Sequence, residues 1–193
     1  ETTTYSVSVT DANGCQASAS VTVIVNTAAT ATISGDLEIC AGESTTLTAN
    51  GGSNHLWSNG STTAQINVSP LTNTTYSVTV TNGAGCESEK SVTVVVNPLP
   101  TPSITGDLTI CVGETTRLTA SGGTSYVWSN GEVTSTIDVN PTETTTYSVT
   151  VTDSNGCQGN TSVTVVVNPL PTPSITGDLT ICEGETTRLT ASG

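Results

Sequence analysis

The chain has 193 residues and a formal net charge of −13, because only three basic residues offset 16 acidic ones. Binding to a nucleic acid or to an anionic membrane surface needs clustered Lys and Arg, so neither is expected as a partner. No apolar run is long enough to span a bilayer, and membrane insertion is therefore not predicted.

The cysteines reveal an internal repeat, which is the main organising feature of the chain. Two series share a 71-residue spacing: Cys15, Cys86 and Cys157, and Cys40, Cys111 and Cys182. Residues 106–122 return at 177–193 with one change, from Val112 to Glu183. The spacing predicts the C-terminal half of a truncated repeat, two complete repeats and the N-terminal part of a further repeat, at 1–26, 31–97, 102–168 and 173–193. The chain is expected to be a window on a longer array.

In chain order, the predicted elements are short strands separated by turn signals, beginning with ETTTYSVSVT at the first residue. Val149 and Val151 alternate with Ser148 and Thr150, which is the period of a strand with one buried face. In the second complete copy, strands are predicted near 103–110, 115–121, 125–129, 135–140, 145–152 and 162–168. Six or seven short strands in about 65 residues predict an all-β fold of tandem, small immunoglobulin-like β-sandwiches.

The joints between repeats differ in proline content. The joint at 97–103 reads Asn-Pro-Leu-Pro-Thr-Pro-Ser and recurs at 168–174. Alternating prolines favour an extended, semi-rigid spacer. The joint at 26–32 has no proline, so we expect it to be looser or to be stiffened by domain contacts instead.

A disulfide in each repeat explains the six cysteines best, because a small core gains from a covalent link. A zinc site and a catalytic thiol are disfavoured, since the chain lacks closely spaced ligands and a general base. We predict the pairs Cys40–Cys86 and Cys111–Cys157, because a repeat that closes on itself can be duplicated without changing its neighbour. The competing pair, Cys86–Cys111 across the joint, stays open. Either pairing implies an oxidising compartment outside the cell.

Four motifs recur along the whole chain: C-x-G-E-x-T-x-L-T-A, W-S-N-G, T-T-Y-S-V-T-V-T and S-V-T-V-V-V-N-P-L-P. Together they resemble the immunoglobulin-like and PKD-like tandem repeats of giant Bacteroidota cell-surface adhesins. The resemblance implies a location at the cell surface, export by the type IX secretion system and, for some members, a role in gliding motility. PKD repeats often carry a longer W-D-F-G-D-G stretch in place of WSNG, so the generic immunoglobulin-like type is favoured.

The aromatic residues are predicted to be structural. Trp57 and Trp128 each stand alone in their copy, where a small sandwich needs one large core residue. Tyr76 and Tyr147 resemble the tyrosine that fixes a sandwich corner by a hydrogen bond to the backbone. The only histidine, His55, is not retained in the next copy, which argues against Ser-His-Asp catalysis and predicts that the segment is not an enzyme.

Two acidic positions recur beside glycines, Asp36 with Asp107 and Glu43 with Glu114. We interpret them as solvated turn or cap residues, with weak calcium binding as the alternative, because Ca²⁺ takes several oxygen ligands and no dense acidic cluster is present. No other cofactor is predicted.

The repeats are nearly identical, their joints contain prolines, and no catalytic group is predicted on their surface. Together these features indicate a structural role. The sequence predicts a stalk or filament segment of a large, repetitive extracellular adhesin or surface fibre. Its expected partners are neighbouring repeats, other copies in a filament or surface glycans. The alternatives are a glycan-binding module, which requires exposed aromatic residues, and a passive spacer in a secreted multidomain enzyme.

Overall fold

The structure, a computed structural model, describes all residues from Glu1 to Gly193 and consists of strands and turns without a helix. The all-β prediction is confirmed. No helix long and apolar enough to cross a membrane is present. The chain divides into two units, Glu1–Pro98 and Leu99–Gly193.

The first unit contains a hairpin followed by a seven-stranded β-sandwich. The hairpin strands are β1 (Thr3–Thr10) and β2 (Gln16–Val23). The sandwich strands are β3 (Thr32–Ser34), β4 (Glu38–Cys40), β5 (Thr45–Asn50), β6 (Asn54–Trp57), β7 (Gln65–Val68), β8 (Thr74–Thr81) and β9 (Glu87–Asn97). One sheet has the order β3-β5-β7 and the other has the order β4-β9-β8-β6.

The second unit repeats this sandwich and ends in a short hairpin. Its sandwich strands are β10 (Ser103–Thr105), β11 (Thr109–Cys111), β12 (Thr116–Ser121), β13 (Ser125–Trp128), β14 (Thr136–Val139), β15 (Thr145–Thr152) and β16 (Gln158–Asn168). The sheets have the orders β10-β12-β14 and β11-β16-β15-β13. The final hairpin pairs β17 (Ser174–Thr176) with β18 (Thr190–Ser192).

Alternation along the strands builds the core of each sandwich. In β8, Val78 and Val80 are fully buried, while Thr79 between them is partly exposed. These valines pack with Leu47 of β5 and Trp57 of β6 in one cluster, and the second sandwich has an equivalent cluster of its own. Each fully buried aliphatic side chain contributes roughly 1.5–3 kcal/mol, so a core of this size stabilises one small domain.

The predicted first strand, 103–110, is two strands in different sheets. β10 lies in the three-stranded sheet and β11 in the four-stranded sheet, and Gly106 lies between them with φ of 149°. A Cβ at this position would meet the carbonyl oxygen of Arg117, so only glycine permits the crossing. The last strand begins at Gln158 rather than near 162, because its ladder with β15 continues to the pair Thr152 and Gln158.

Candidate functional site at the two poles of the repeat

The cysteines do not form the predicted pairs. Cys40 and Cys157 are disulfide-bonded, whereas Cys15, Cys86, Cys111 and Cys182 are thiols. The predictions Cys40–Cys86 and Cys111–Cys157 are therefore wrong, and the competing pair Cys86–Cys111 is not formed either.

The register of the four-stranded sheet explains why a repeat cannot close on itself. β4 runs parallel to β9 and places Cys40 beside Asn97, the last residue of that strand. Cys86 comes immediately before Glu87, the first residue of the same strand. At ~3.3 Å per residue, the two cysteines lie about 35 Å apart, whereas a disulfide needs a Cα separation of about 4–7 Å.

Each complete repeat thus has cysteines at opposite ends. We call the end that holds Cys40 and Asn97 the C-terminal pole, and the end that holds Asn82–Cys86 the N-terminal pole. In the second repeat, Cys111 lies beside Asn168 in the ladder of β11 and β16, at the C-terminal pole. Cys157 precedes Gln158 at the N-terminal pole.

At the C-terminal pole a glutamate closes the turn that follows the cysteine. The main-chain N–H of Cys40 donates to Oε2 of Glu43 at 3.0 Å, and the N–H of Glu43 donates back to the Cys40 carbonyl at 3.0 Å. Cys111 and Glu114 make the same pair of bonds, the first at 2.8 Å. The recurring glutamates are therefore turn residues whose carboxylates already accept a hydrogen bond from the backbone.

At the N-terminal pole the side chain at the start of a turn performs the equivalent role. Oδ1 of Asp153 accepts hydrogen bonds from the N–H groups of Asn155 and Cys157, both at 2.9 Å. In the first repeat Asn82 replaces the aspartate, and its Oδ1 accepts from Cys86 N at 3.0 Å. A side-chain oxygen thus fixes the cysteine backbone at both poles.

The other two calcium candidates contribute their backbone to the fold. The carbonyl oxygens of Asp36 and Asp107 accept hydrogen bonds from the buried hydroxyls of Thr45 and Thr116, at 2.9 and 2.8 Å. No group of three or more His, Cys, Asp or Glu side chains is arranged to hold a metal ion.

The proline-free joint packs on the N-terminal pole of the repeat that follows it. Ala29 and Ala31 belong to the buried core of the first sandwich. The Asn82 amide donates to the Thr27 carbonyl at 2.9 Å, and the N–H of Ala31 donates to Oγ of Ser88 at 3.3 Å. Of the two alternatives expected for this joint, the structure shows the contacts with the adjoining domain, through which stiffening would act.

The joint that contains prolines also packs on the N-terminal pole of the repeat that follows it, through van der Waals contacts. Pro100 and Pro102 are half-buried, and the β16 residue beside them is Gly159. A Cβ on Gly159 would meet the Pro100 carbonyl oxygen and would lie 3.0 Å from Cδ of Pro102. Residues 98–102 lie outside the strands.

Sequence reasoning missed the role of Ser88 and Gly159. Positions 31 and 88 of the first copy both differ from their counterparts, 102 and 159, in the second, but many other positions differ as well, so the two copies alone give no signal that pairs them.

The aromatic residues of the complete repeats are structural. Trp57 and Trp128 are each 2% exposed, and their Nε1 atoms donate to the carbonyls of Thr63 and Thr134 at 2.9 Å. Tyr76 and Tyr147 pack against the core edge, but neither hydroxyl makes the predicted corner hydrogen bond.

The aromatic residue on the strand next to the core tryptophan is also partly buried. The residue equivalent to His55, Tyr126, is partly buried, and its hydroxyl donates to the Gly123 carbonyl at 2.9 Å. The tryptophan rings of the complete repeats are therefore buried and their tyrosine rings partly buried.

One ion pair stands out on the acidic surface. Arg117 and Asp138 face each other across β12 and β14 and form two hydrogen bonds, both at 2.8 Å. The hydrogen bond from Arg117 lowers the pKa of the Asp138 carboxyl, and the same contact raises the pKa of Arg117. Both side chains are more than half exposed, so solvent screens the pair and it adds little stability.

No family model matches this chain, and no curated protein matches it. Among solved structures, it is similar to a Ca²⁺-stabilised adhesin that helps an Antarctic bacterium bind ice, with 19% identity and a TM-score of 0.48 over 91% of this chain. The match spans 59% of that adhesin chain.

Two further similarities are lower. A 1.5-MDa bacterial ice-binding adhesin matches with 17% identity and a TM-score of 0.42, over 79% of this chain and 70% of that chain. The N-terminal eight Ig domains of Down syndrome cell adhesion molecule match with 14% identity and a TM-score of 0.32, over 91% of this chain and 28% of that chain. The fold assignment is carried by the strands and their pairing, which are those of immunoglobulin-like β-sandwiches.

Proposed function

We propose that this chain is a structural segment of a repetitive extracellular adhesin stalk or surface fibre. The observation that carries the proposal is the packing of each joint on the pole of the repeat that follows it. Ala31 is part of the first core, and Pro102 packs against Gly159 in the second unit. Each repeat is thus a self-contained module that includes its own joint, which suits an array whose length is set by the number of modules.

The chemistry of the chain supports a mechanical role outside the cell. Cys40 and Cys157 are disulfide-bonded, which is typical of oxidising compartments. The net charge of −13 opposes collapse of neighbouring modules on each other at low ionic strength. Partners in this role are neighbouring modules and other copies of the chain, and a surface glycan is a further candidate.

The finer assignment, to type IX-exported gliding adhesins of Bacteroidota, rests on the recurring sequence motifs alone. Calcium as a stiffening ion is likewise a finer proposal, tested by melting the chain in calcium and in EDTA. A melting temperature that rises with calcium supports a cation site in the modules, and an unchanged one removes it.

The test of the structural role is the dependence of molecular length on module number. One, two and three additional copies of residues 98–168 are inserted after Asn168, where Pro169 continues the same motif. Small-angle X-ray scattering is expected to show a maximum dimension that grows by a constant increment per copy. A radius that grows only as the cube root of mass would overturn the proposal, because such an array has collapsed into a globule.

A further inference from the structure

The chain contains six Asn-Gly pairs, a sequence in which the main chain can react with the neighbouring side chain. The amide nitrogen of the glycine attacks Cγ of the asparagine, and the missing glycine side chain leaves the approach unhindered. A glycine N–H that is held in a hydrogen bond is turned away from this reaction. The hydrogen bonds of the six glycines therefore decide which pairs are reactive.

Four of the six glycines are held by their turns. Their N–H groups donate to main-chain carbonyl oxygens, from Gly14 to Asp11 at 3.0 Å, from Gly60 to Trp57 at 2.9 Å, from Gly131 to Trp128 at 2.9 Å and from Gly156 to Asp153 at 3.3 Å. The N–H groups of Gly51 and Gly83 donate to no group of the protein. The pairs Asn50-Gly51 and Asn82-Gly83 are thus the two with an available nucleophile.

These two pairs differ in how firmly the asparagine side chain is held. Oδ1 of Asn82 accepts hydrogen bonds from the N–H groups of Ala84 and Cys86, both at 3.0 Å, and its amide donates to the Thr27 carbonyl at 2.9 Å. Asn50 is the last residue of β5, and its side chain is exposed and makes no hydrogen bond. The Asn50 side chain is therefore the one that turns freely towards its glycine.

We propose that Asn50 is a site of spontaneous modification, at which the side chain is converted to isoaspartate. The amide nitrogen of Gly51 forms a bond to Cγ of Asn50, and the Cγ–Nδ2 bond breaks. Nδ2 leaves as ammonia and takes the proton of the Gly51 amide. Water then opens the succinimide ring, at Cγ to give aspartate or at the main-chain carbonyl carbon to give isoaspartate. In isoaspartate the main chain runs through Cβ and Cγ and is one carbon longer.

The added carbon falls where β5 ends against the proline-free joint. A Cβ on Gly51 would clash with the carbonyl oxygen of Thr30 and would lie 3.2 Å from the amide nitrogen of Ala31. A longer main chain at this point displaces the joint, because the space beside it is already filled. Ala31 is buried in the core and donates to Ser88, so the displacement breaks these contacts and loosens the joint.

The second repeat has neither reactive pair. Ser121 stands at the position of Asn50, and Asp153 and Ser154 stand at the positions of Asn82 and Gly83. The modification therefore acts on the proline-free joint and spares the joint that contains prolines. The proposal goes beyond the structural role, because it makes the stiffness of one joint depend on the age of the protein.

The reactivity is tested by ageing the full chain in mildly alkaline buffer, with peptide mapping by mass spectrometry and labelling by isoaspartate methyltransferase. Asn50 is expected to lose its amide about fivefold faster than Asn59 and Asn130, since their glycine hydrogen bonds must break first. Asn50→Ser, which introduces the residue of the second repeat, is expected to abolish the label at this position. Equal rates at Asn50, Asn59 and Asn130, or a faster reaction at Asn82, overturn the proposal.

The effect on the joint is tested by hydrogen exchange of the Ala31 amide, measured by NMR before and after ageing. Exchange is expected to rise about fivefold in the chain with isoaspartate at position 50, the effect of losing one protecting hydrogen bond. The aged Asn50→Ser chain is expected to keep its original rate, and the control Asn59→Ser is expected to age as the native chain does. Asn50→Asp adds the charge without the extra carbon and is expected to exchange as the fresh native chain does. An unchanged rate in the chain that carries the isoaspartate overturns the action on the joint.

Discussion

The N–H of Ala31 and the hydroxyl of Ser88 form a hydrogen bond at 3.3 Å, and both partners change together in the next repeat. Pro102 replaces Ala31 and has no N–H to donate, while Gly159 replaces Ser88 and has no side chain to accept. The glycine is also required by space, because a Cβ there would clash with the carbonyl oxygen of Pro100 and would lie 3.0 Å from Cδ of Pro102. Each joint thus matches the last strand of its own module.

We expect this match to appear as coupling in a double-mutant cycle. Ala31→Pro removes the donor and brings a ring against Ser88, and Ser88→Gly leaves the donor without its partner. Each change alone is expected to lower the free energy of unfolding by about 0.5–1.5 kcal/mol, and the double variant by less than their sum, with a coupling of about 1 kcal/mol.

Urea unfolding followed by Trp57 fluorescence in a Trp128→Phe background measures the cycle in the first repeat alone. Ser91→Gly, on the exposed face of the same strand, controls for the conformational entropy of glycine. Strictly additive effects would show that the joint and the strand are independent.

The oxidation state of the cysteines is open to direct mapping. Alkylation in denaturant without reductant is expected to label Cys86 and Cys111 together with the exposed Cys15 and Cys182. Cys40 and Cys157 are expected to react only after reduction. Recovery of a peptide that joins Cys40 to Cys86 would contradict the register of β4 with β9.

The two sandwiches have separate cores, so damage to one is expected to spare the other. Trp57→Ala removes the largest buried side chain of the first core and is expected to cost about 3–5 kcal/mol, enough to unfold a small domain. The fluorescence transition of Trp128 in urea is expected to keep its midpoint. A shift of that midpoint comparable to the loss in the first repeat would show that the cores unfold together.

The Arg117–Asp138 pair predicts a local pH dependence. The lowered pKa of Asp138 means that the pair contributes stability above the ordinary aspartate pKa of about 4, and that this contribution is lost as the pH falls through the depressed value. Arg117→Thr, the residue found at the equivalent position 46, is expected to raise the pKa of Asp138 in a carboxyl NMR titration. Arg188→Thr removes the same charge elsewhere and is expected to leave that pKa unchanged.

Alternation in the sequence was enough to predict the strands and much of the core. Val149 and Val151 are buried because a period of two places them on the inner face, and Trp128, the single tryptophan of its copy, is buried at the core position predicted for it. The alternation of apolar and polar residues shows which face of a strand is buried. It does not show which strand, distant in sequence, is the neighbour in the sheet. The parallel pairing of Cys40 with Asn97 joins residues far apart in the chain, and the disulfide prediction failed because that pairing was not visible.

The packing of each joint on the following module also determines how such an array can change by recombination. Copies as similar as residues 106–122 and 177–193 invite unequal exchange between neighbouring copies. An exchange that carries a joint together with the last strand of its module keeps Ala31 with Ser88, or Pro102 with Gly159. A crossover between those positions would set a proline ring against a serine side chain. Arrays of this type can therefore gain or lose whole modules when each exchanged segment runs from the start of a joint to the end of the last strand that it packs on. A crossover inside a module separates the joint from that strand and is expected to lower the stability of the module.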